Sequence, residues 1–328
     1  MAQIVLGIGS SHTPMLNAPV EDWGRFIERD RGRAHLDKSG RPMTYQELEA
    51  QVAGAVDHEL RPEVWARRHA QAAAEVERLA RVLREAELDT LVIVGDDQKE
   101  LYETDNMPSI LVYHGESIRN VPLPATHPGP DWVRRSSARY YEQDAPRDYP
   151  VDSALARHLI GHLNRSEFDV SIADRLADGY GEGHAFGFVH NRLLNGAEVP
   201  VLPIFLNTYY PPNQPTPRRC HRLGQALRAA VESFPGEARI GVIASGGLSH
   251  FTVDEALDGR VIEALRSGDA AALHALPLEL LNAGNSEIRN WICMAGSIEH
   301  LQLRSLEYIP AYRTPAGTGT GLCFAVWA

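Results

Sequence analysis

The sequence of 328 residues lacks the features that mark several large classes of protein. Its three cysteines lie far apart and outside any CxxC pattern, which excludes a disulfide framework and a thiolate zinc site. Lys and Arg number 32 against 43 Asp and Glu, which argues against a nucleic-acid surface. No apolar run approaches the roughly 20 residues that span a bilayer, and the amino end lacks a signal peptide's basic region and cleavage site. These absences predict an acidic, soluble, cytoplasmic globular protein with no nucleic-acid or membrane partner.

Short β-branched segments alternate along the chain with longer segments of helical periodicity. Strands are predicted at 4–8, 90–94, 109–113, 168–172, 199–206, 239–244 and 323–327, and helices near 45–56, 62–87, 151–163, 185–195, 217–233, 254–266 and 285–303. Continuous apolar runs such as LVIV and VPVLPIF are typical of strands buried on both faces. We therefore predict a single α/β domain over residues 1–328, with a central, largely buried sheet flanked by helices.

Three irregular segments interrupt this alternation. Residues 19–60 are charged and weakly periodic, and with the helix that follows they form an extended insertion at about 19–88. The proline-containing segments 115–150 and 208–217 are predicted to be loops. Loops of this length within a compact domain are commonly lids or binding loops.

Polar tips follow three of the predicted strands. They are Ser11-His12, Asp96-Asp97-Gln98 and, after two glycines, Leu248-Ser249-His250. Because ligands in open α/β sheets gather at the carboxyl ends of strands, we expect the tips to converge on one site. Taken singly, each has a plainer interpretation: a surface histidine, an Asp pair that caps a turn, or a tight connection.

Familiar catalytic motifs are incomplete. The glycines before His12 lack the third glycine of a dinucleotide fingerprint. The segment around Ser245 lacks the first glycine of a nucleophile elbow, and HExxH is absent. Glu287 opens a predicted helix, where the helix dipole alone explains an acidic residue.

Five motifs followed by the Glu287 helix carry a more specific pattern: GIGSSHTP, VIVGDDQKELYETDNMPS, ADGYGEGHAFGF, VPVLPIFLNTYYPP and ASGGLSHF. In this order they resemble the class III extradiol ring-cleaving dioxygenases, the family of the protocatechuate 4,5-dioxygenase catalytic subunit. Within that family the sequence is similar to the gallate and 3-O-methylgallate dioxygenase group. The resemblance implies one α/β domain with its active site at strand carboxyl ends, a nonhaem Fe(II) cofactor, and a small aromatic substrate that reacts with O2.

The resemblance also implies roles for individual residues. His12 and Glu287 match two iron ligands of the family, and His250 matches its acid/base histidine. His184 matches a second catalytic histidine, which hydrogen-bonds substrate or oxygen intermediates. Ser249, in the same tip as His250, is predicted to contact the substrate.

One expected ligand is missing, because Gln98 stands where the family has its second iron histidine. Gln98 itself binds the metal or holds a water ligand, or His58 or His69 from the insertion replaces it, or the metal is weak, changed or lost. An imidazole suits Fe(II) better than an amide carbonyl does. The hypotheses are thus a dioxygenase for methylgallate-, gallate- or protocatechuate-like rings, a divalent-metal (zinc) hydrolase, or a non-catalytic subunit. The family further implies a homo-oligomer.

Overall fold

A mixed eight-stranded sheet forms the centre of the structure, a computed structural model that describes residues 1–328. The strands are β1 (Gln3–Ser10), β2 (His35–Leu36), β3 (Pro42–Met43), β4 (Thr90–Asp96), β5 (Ile110–Tyr113), β6 (Ser117–Asn120), β7 (Arg147–Pro150), β8 (Ser171–Ala173), β9 (Val201–Leu206), β10 (Arg239–Ser245), β11 (Leu303–Tyr312) and β12 (Gly319–Trp327). Across the central sheet their order is β11-β12-β1-β10-β4-β9-β5-β8, and β2–β3 and β6–β7 form two separate pairs.

Four neighbouring strands of this sheet, β1, β10, β4 and β9, run parallel to one another. Antiparallel partners flank them, β12 beyond β1 and β5 beyond β9. Every residue of β4 is buried, as the apolar run in its sequence predicts. Since the four central strands share one direction, their carboxyl ends meet at one edge of the sheet.

Helices cover both faces of the sheet. They are α1 (Phe26–Arg31), α2 (Tyr45–Val52), α3 (Pro62–Glu85), α4 (Asp131–Ala138), α5 (Ser153–Arg165), α6 (His184–Phe188), α7 (Pro217–Glu232), α8 (Glu255–Ser267), α9 (Ala270–His274) and α10 (Ile288–Ser297). Successive residues of β4 point to opposite faces: Val92 and Val94 join a core with α5, α7, α8 and α10, whereas Leu91 and Ile93 join a core with α3 and α6. None of these helices combines the length and the apolar composition needed to cross a bilayer.

The structure confirms the predicted α/β class, six of the seven predicted strands and the long helix α3. The strand predicted at 168–172 begins later, since β8 spans Ser171–Ala173. The prediction of one long loop over 115–150 is wrong, because β6 and β7 pair there and α4 lies between them. The predicted helix at 285–303 is shorter, since α10 ends at Ser297 and the edge strand β11 begins at Leu303. Within 19–60, the structure has α1, α2 and the short β2–β3 pair.

Candidate active site

Side chains from the carboxyl edge of the parallel strands meet in one buried cluster. His12 follows β1, Asp96 ends β4, and Glu287 lies immediately before α10. The ligand atoms of these three residues all lie within 4.8 Å of one another, an arrangement that could hold a metal ion. We call this group the His–Asp–Glu cluster.

The hydrogen bonds of His12 fix which ring nitrogen carries its proton. Ser245 donates its hydroxyl proton to the carbonyl of Ala185 at 2.6 Å, so at 3.0 Å it accepts from Nδ1 of His12. Burial lowers the pKa of His12 despite the nearby carboxylate of Glu287, so the ring is neutral. Its unprotonated Nε2 therefore faces Glu287 Oε2 at 3.5 Å. Two lone pairs that face each other in a buried site are favourable only when a cation lies between them.

Glu287 is the acceptor around which the cluster is built. Its Oε1 accepts from the Tyr209 hydroxyl at 2.7 Å, and its Oε2 accepts from the Gly247 amide at 2.7 Å. Burial alone would raise the pKa of Glu287, but the adjacent His250 ring outweighs burial and holds that pKa well below its ordinary value. Glu287 is thus an anion with its position fixed from several directions.

The structure gives Asp96 and Gln98 different roles at the cluster, a question that the sequence left open. Asp96 lies in the cluster, whereas Gln98 directs its amide nitrogen at Asp96 Oδ2 (3.4 Å) and Glu287 Oε1 (3.3 Å). An amide nitrogen has no free lone pair for a metal, so Gln98 acts here as a donor to two carboxylates. Burial and the charge of Glu287 raise the pKa of Asp96 well above its ordinary value. Asp97, by contrast, accepts three backbone amides and caps the following turn, the plainer interpretation given above.

His184 is held at the cluster by a buried carboxylate. It begins α6, and its Nδ1 donates to Glu100 Oε2 at 2.7 Å. Burial would lower the pKa of His184, but the charge and hydrogen bond of Glu100 outweigh burial and raise it to about 10. Its ring meets that of His12 edge-on, with 4.7 Å between centroids. His184 is therefore a charged donor whose second nitrogen faces the cluster.

His250 lies on the opposite side of Glu287. Its Nδ1 donates to the carbonyl of Leu248, and its Nε2 lies 3.1 Å from both Glu287 Oε1 and the Tyr209 hydroxyl. Burial is again outweighed by Glu287, so the pKa of His250 is raised. Only glycine fits at position 284, since a Cβ there would lie 2.1 Å from the His250 ring. The loop before Glu287 is thus shaped around this histidine.

A cleft of about 340 Å³ opens onto the cluster. The residues that line it include His12, Gln98, His184, His250 and Glu287. The other lining residues include three arginines, which we call the arginine wall: Arg29, Arg33 and Arg313. His127 and Tyr140, from the segment predicted as a loop, also line the cleft.

Three candidate site residues lie outside the cleft. His58 has a side chain that is 66% exposed and pairs with Glu59, so the structure does not place it at the His–Asp–Glu cluster. Its neighbour in that hypothesis, His69, packs edge-on against Trp23. Ser249 does not line the cleft, because its hydroxyl donates to the buried Asp258 and accepts from the Asp254 amide. Ser249 thereby anchors the start of α8.

Sequence reasoning missed several residues of the site. Asp96 belongs to one of the three polar tips. Its position as the last residue of a buried strand is the only indication in the sequence that its side chain faces inward. Tyr209 lies in the segment 208–217, which the sequence predicts only to be a loop, although it follows the carboxyl end of β9 by three residues. Glu100, Arg29 and Arg313 carried no indication in the sequence, since their roles depend on contacts between distant segments.

Comparison with known proteins identifies the family. Residues 66–322 match the family described as the catalytic LigB subunit of aromatic ring-opening dioxygenase. The chain belongs to the LigB family. The resemblance to class III extradiol dioxygenases is thereby confirmed, and the matched residues include Asp96, His184, His250 and Glu287. His12 and Arg29 precede the matched residues.

Two relatives of this LigB protein have names that state an enzymatic activity. Gallate dioxygenase of Pseudomonas putida (strain KT2440) is 30% identical over 191 residues, which cover 53% of this chain and 54% of the relative. The 2,3-dihydroxyphenylpropionate/2,3-dihydroxicinnamic acid 1,2-dioxygenase of Comamonas testosteroni is 32% identical over 100 residues, 30% of each chain. The LigB protein thus spans about half the length of the first relative and less than a third of the second.

Proposed function

We propose that this LigB protein is an Fe(II)-dependent extradiol dioxygenase that opens a catechol-type ring of the gallate, methylgallate or protocatechuate kind. The observation that carries the proposal is the lone pair of His12 Nε2 facing Glu287 Oε2, with Asp96 beside them. That arrangement calls for a cation at the edge of the cleft. Membership of the LigB family then supplies the reaction class.

The donor set suits a divalent metal. His12, Asp96 and Glu287 offer one imidazole and two carboxylates, a mixed nitrogen and oxygen set that Fe(II) accepts. This set differs from the family's two histidines and one carboxylate, because Asp96 takes the place that Gln98 leaves open. Bound there, Fe(II) supplies a Lewis acid for two adjacent ring hydroxyls and the redox chemistry with O2. We infer that Gln98 fixes the two carboxylates instead of binding the metal.

The protein's own groups can then manage the protons of the reaction. His250 Nε2 lies 3.1 Å from both Glu287 Oε1 and the Tyr209 hydroxyl. A cation that shares Glu287 would offset the charge that raises the pKa of His250, and His250 would then exchange a proton with a substrate hydroxyl placed beside Glu287. His184, charged through Glu100, donates a hydrogen bond from the opposite side.

The experiment is oxygen uptake by protein that has been loaded with Fe(II) under nitrogen and then offered a panel of catechols and gallates. Protein loaded with zinc is the matched control, because zinc supports hydrolysis but not redox chemistry with O2. We expect uptake with a ring-opened product from the iron form alone. Product from both forms, or ester cleavage by the zinc form, would replace the dioxygenase with the hydrolase hypothesis. Cytoplasmic location and homo-oligomeric assembly stay predictions.

A further inference from the structure

We propose that Arg29, assisted by Arg33, is a specificity-determining residue that binds a carboxylate group of the aromatic substrate. The inference rests on the proposed function and adds a substrate preference to it: Arg29 selects aromatic acids over their neutral esters. Both arginines belong to the segment 19–60, which precedes the residues matched by the family. The assignment therefore comes from the cleft itself.

Arg29 is a half-buried cation without a hydrogen-bond partner. Its Nε and Nη1 atoms are buried and make no hydrogen bond, and the guanidinium forms no ion pair. Buried polar groups are otherwise nearly always hydrogen-bonded, and a guanidinium carries its charge at any ordinary pH. An unpaired arginine that lines a cleft beside a reactive site is best explained by an anion that binds there.

Arg313, the buried neighbour of Arg29 in the arginine wall, differs because it has a carboxylate partner. Arg313 is buried against Asp30, with Nε at 2.7 Å from Oδ2 and Nη2 at 3.2 Å from Oδ1. Asp30 also accepts the Thr318 hydroxyl at 2.6 Å, so its oxygens are occupied. The arginine wall therefore has three positive charges and one paired carboxylate, Asp30. Net positive charge remains at the cleft.

The other groups that line the cleft do not neutralise this charge. Glu100 is occupied by His184 and by the Tyr141 hydroxyl, at 2.7 and 2.8 Å. His127 supplies no negative charge either, and burial and Arg134 lower its pKa. Burial, followed by Arg313 and Arg33, also lowers the pKa of Arg29 to about 9. An anion on the ligand would relieve that unfavourable environment.

The shape of the ligand follows from the two sides of the cleft. His12 and Glu287 of the cluster line the cleft together with the arginine wall, so one ligand there can present two adjacent hydroxyls to the cluster and an anion to the arginines. The Phe26 ring lies 5.2 Å from the Arg29 guanidinium and holds its plane. A planar guanidinium binds a carboxylate through two parallel hydrogen bonds. A ring with a diol at one end and a carboxylate at the other satisfies both sides.

The test compares an acid with its neutral ester on zinc-loaded protein, where no turnover occurs. Calorimetry under nitrogen measures the dissociation constants of 3,4-dihydroxybenzoate and of its methyl ester for the wild type, Arg29→Gln and Arg31→Gln. Arg31 lies on α1 but does not line the cleft, so it is the matched control. Loss of a charge-assisted hydrogen bond predicts acid binding about 10- to 100-fold weaker in Arg29→Gln. Ester binding should stay unchanged, as should both ligands in Arg31→Gln.

Three outcomes would overturn the assignment. Equal losses for acid and ester, or no loss in Arg29→Gln, would show that Arg29 does not bind the carboxylate. Competition by inorganic phosphate as strong as that by benzoate would make the wall a general anion site. Because the readout is binding, it stands apart from the dioxygenase test: acid preference without ring opening would contradict only the proposed reaction.

Discussion

The two sides of the cleft are built in opposite ways. The His–Asp–Glu cluster comes from the ends of strands and the start of α10, and hydrogen bonds fix each of its members. The arginine wall comes largely from the irregular segment 19–60, and Arg29 there has no partner. The sheet therefore provides a preorganised reactive side, whereas the insertion provides a side completed by the ligand.

The packing behind each side reinforces this difference. Trp291 of α10 donates to the Gly246 carbonyl at 2.9 Å and lies so close to β1 that a Cβ at Gly9 would be 2.0 Å from its ring. Glu287 is thus tied to two central strands. The arginine wall depends instead on the single buried ion pair of Asp30 and Arg313. Substitutions on the two sides should consequently affect different properties.

The largest effect should come from Glu287→Ala, which removes the anion shared by every element of the reactive side. We expect loss of stoichiometric metal, since a buried imidazole and one carboxylate remain. Metal content by mass spectrometry after anaerobic loading measures this. Glu263→Ala, an exposed position on α8, is the control and should bind metal like the wild type.

His250→Phe should reduce turnover while the metal stays bound. Loss of a positioned acid/base group lowers turnover by about 10²- to 10⁴-fold. Oxygen uptake and metal content are measured on the same preparation. If metal is lost in proportion to activity, His250 is a ligand, and the division of roles at the reactive side is wrong.

Asp30→Asn should destabilise the arginine side without affecting metal affinity. The guanidinium of Arg313 would be left buried and unpaired, which costs about 3–5 kcal/mol. Urea unfolding measures this cost, and Glu116→Gln, in a surface pair with Arg157, should change stability by about 1 kcal/mol or less. A cost for Asp30→Asn as small as this would show that the ion pair does not hold the wall.

The Asp30 contribution also has a predicted pH dependence. Burial would raise the pKa of Asp30, but Arg313 outweighs burial and holds it below its ordinary value. The folded state therefore binds this proton more weakly than the unfolded state does. The contribution is present in full above the unfolded pKa of about 4 and declines as the pH falls through the folded value.

Gln98→His should produce the smallest change, a gain. The substitution restores the imidazole of the family, and we expect Fe(II) affinity to rise on the order of tenfold. Competition with a coloured chelator measures the affinity. Weaker binding would mean that the amide bonds from Gln98 to Asp96 and Glu287 contribute more than an added ligand.

The sequence predicted the reactive side far better than the arginine side. His12, His184, His250 and Glu287 follow local patterns that a strand end or helix start makes visible, and the structure brings them together. The role of Asp96 in the cluster was not predicted, because turn capping, which Asp97 performs, explained both aspartates. The role of Arg29 could not be predicted, because it is inferred from the lack of a hydrogen-bond partner, and no local sequence pattern indicates that lack. The pairing of Asp30 with Arg313, 283 residues apart, is equally invisible in sequence.

The most direct test of the account is a comparison of metal affinity between Asp96→Asn and Gln98→Ala. Even residues that only support a ligand change metal affinity by about 10- to 100-fold, and a ligand should matter more. We therefore predict a loss above about 100-fold for Asp96→Asn and a loss between about 10- and 100-fold for Gln98→Ala. The reverse order would show that Gln98 is the third ligand and that Asp96 only supports it.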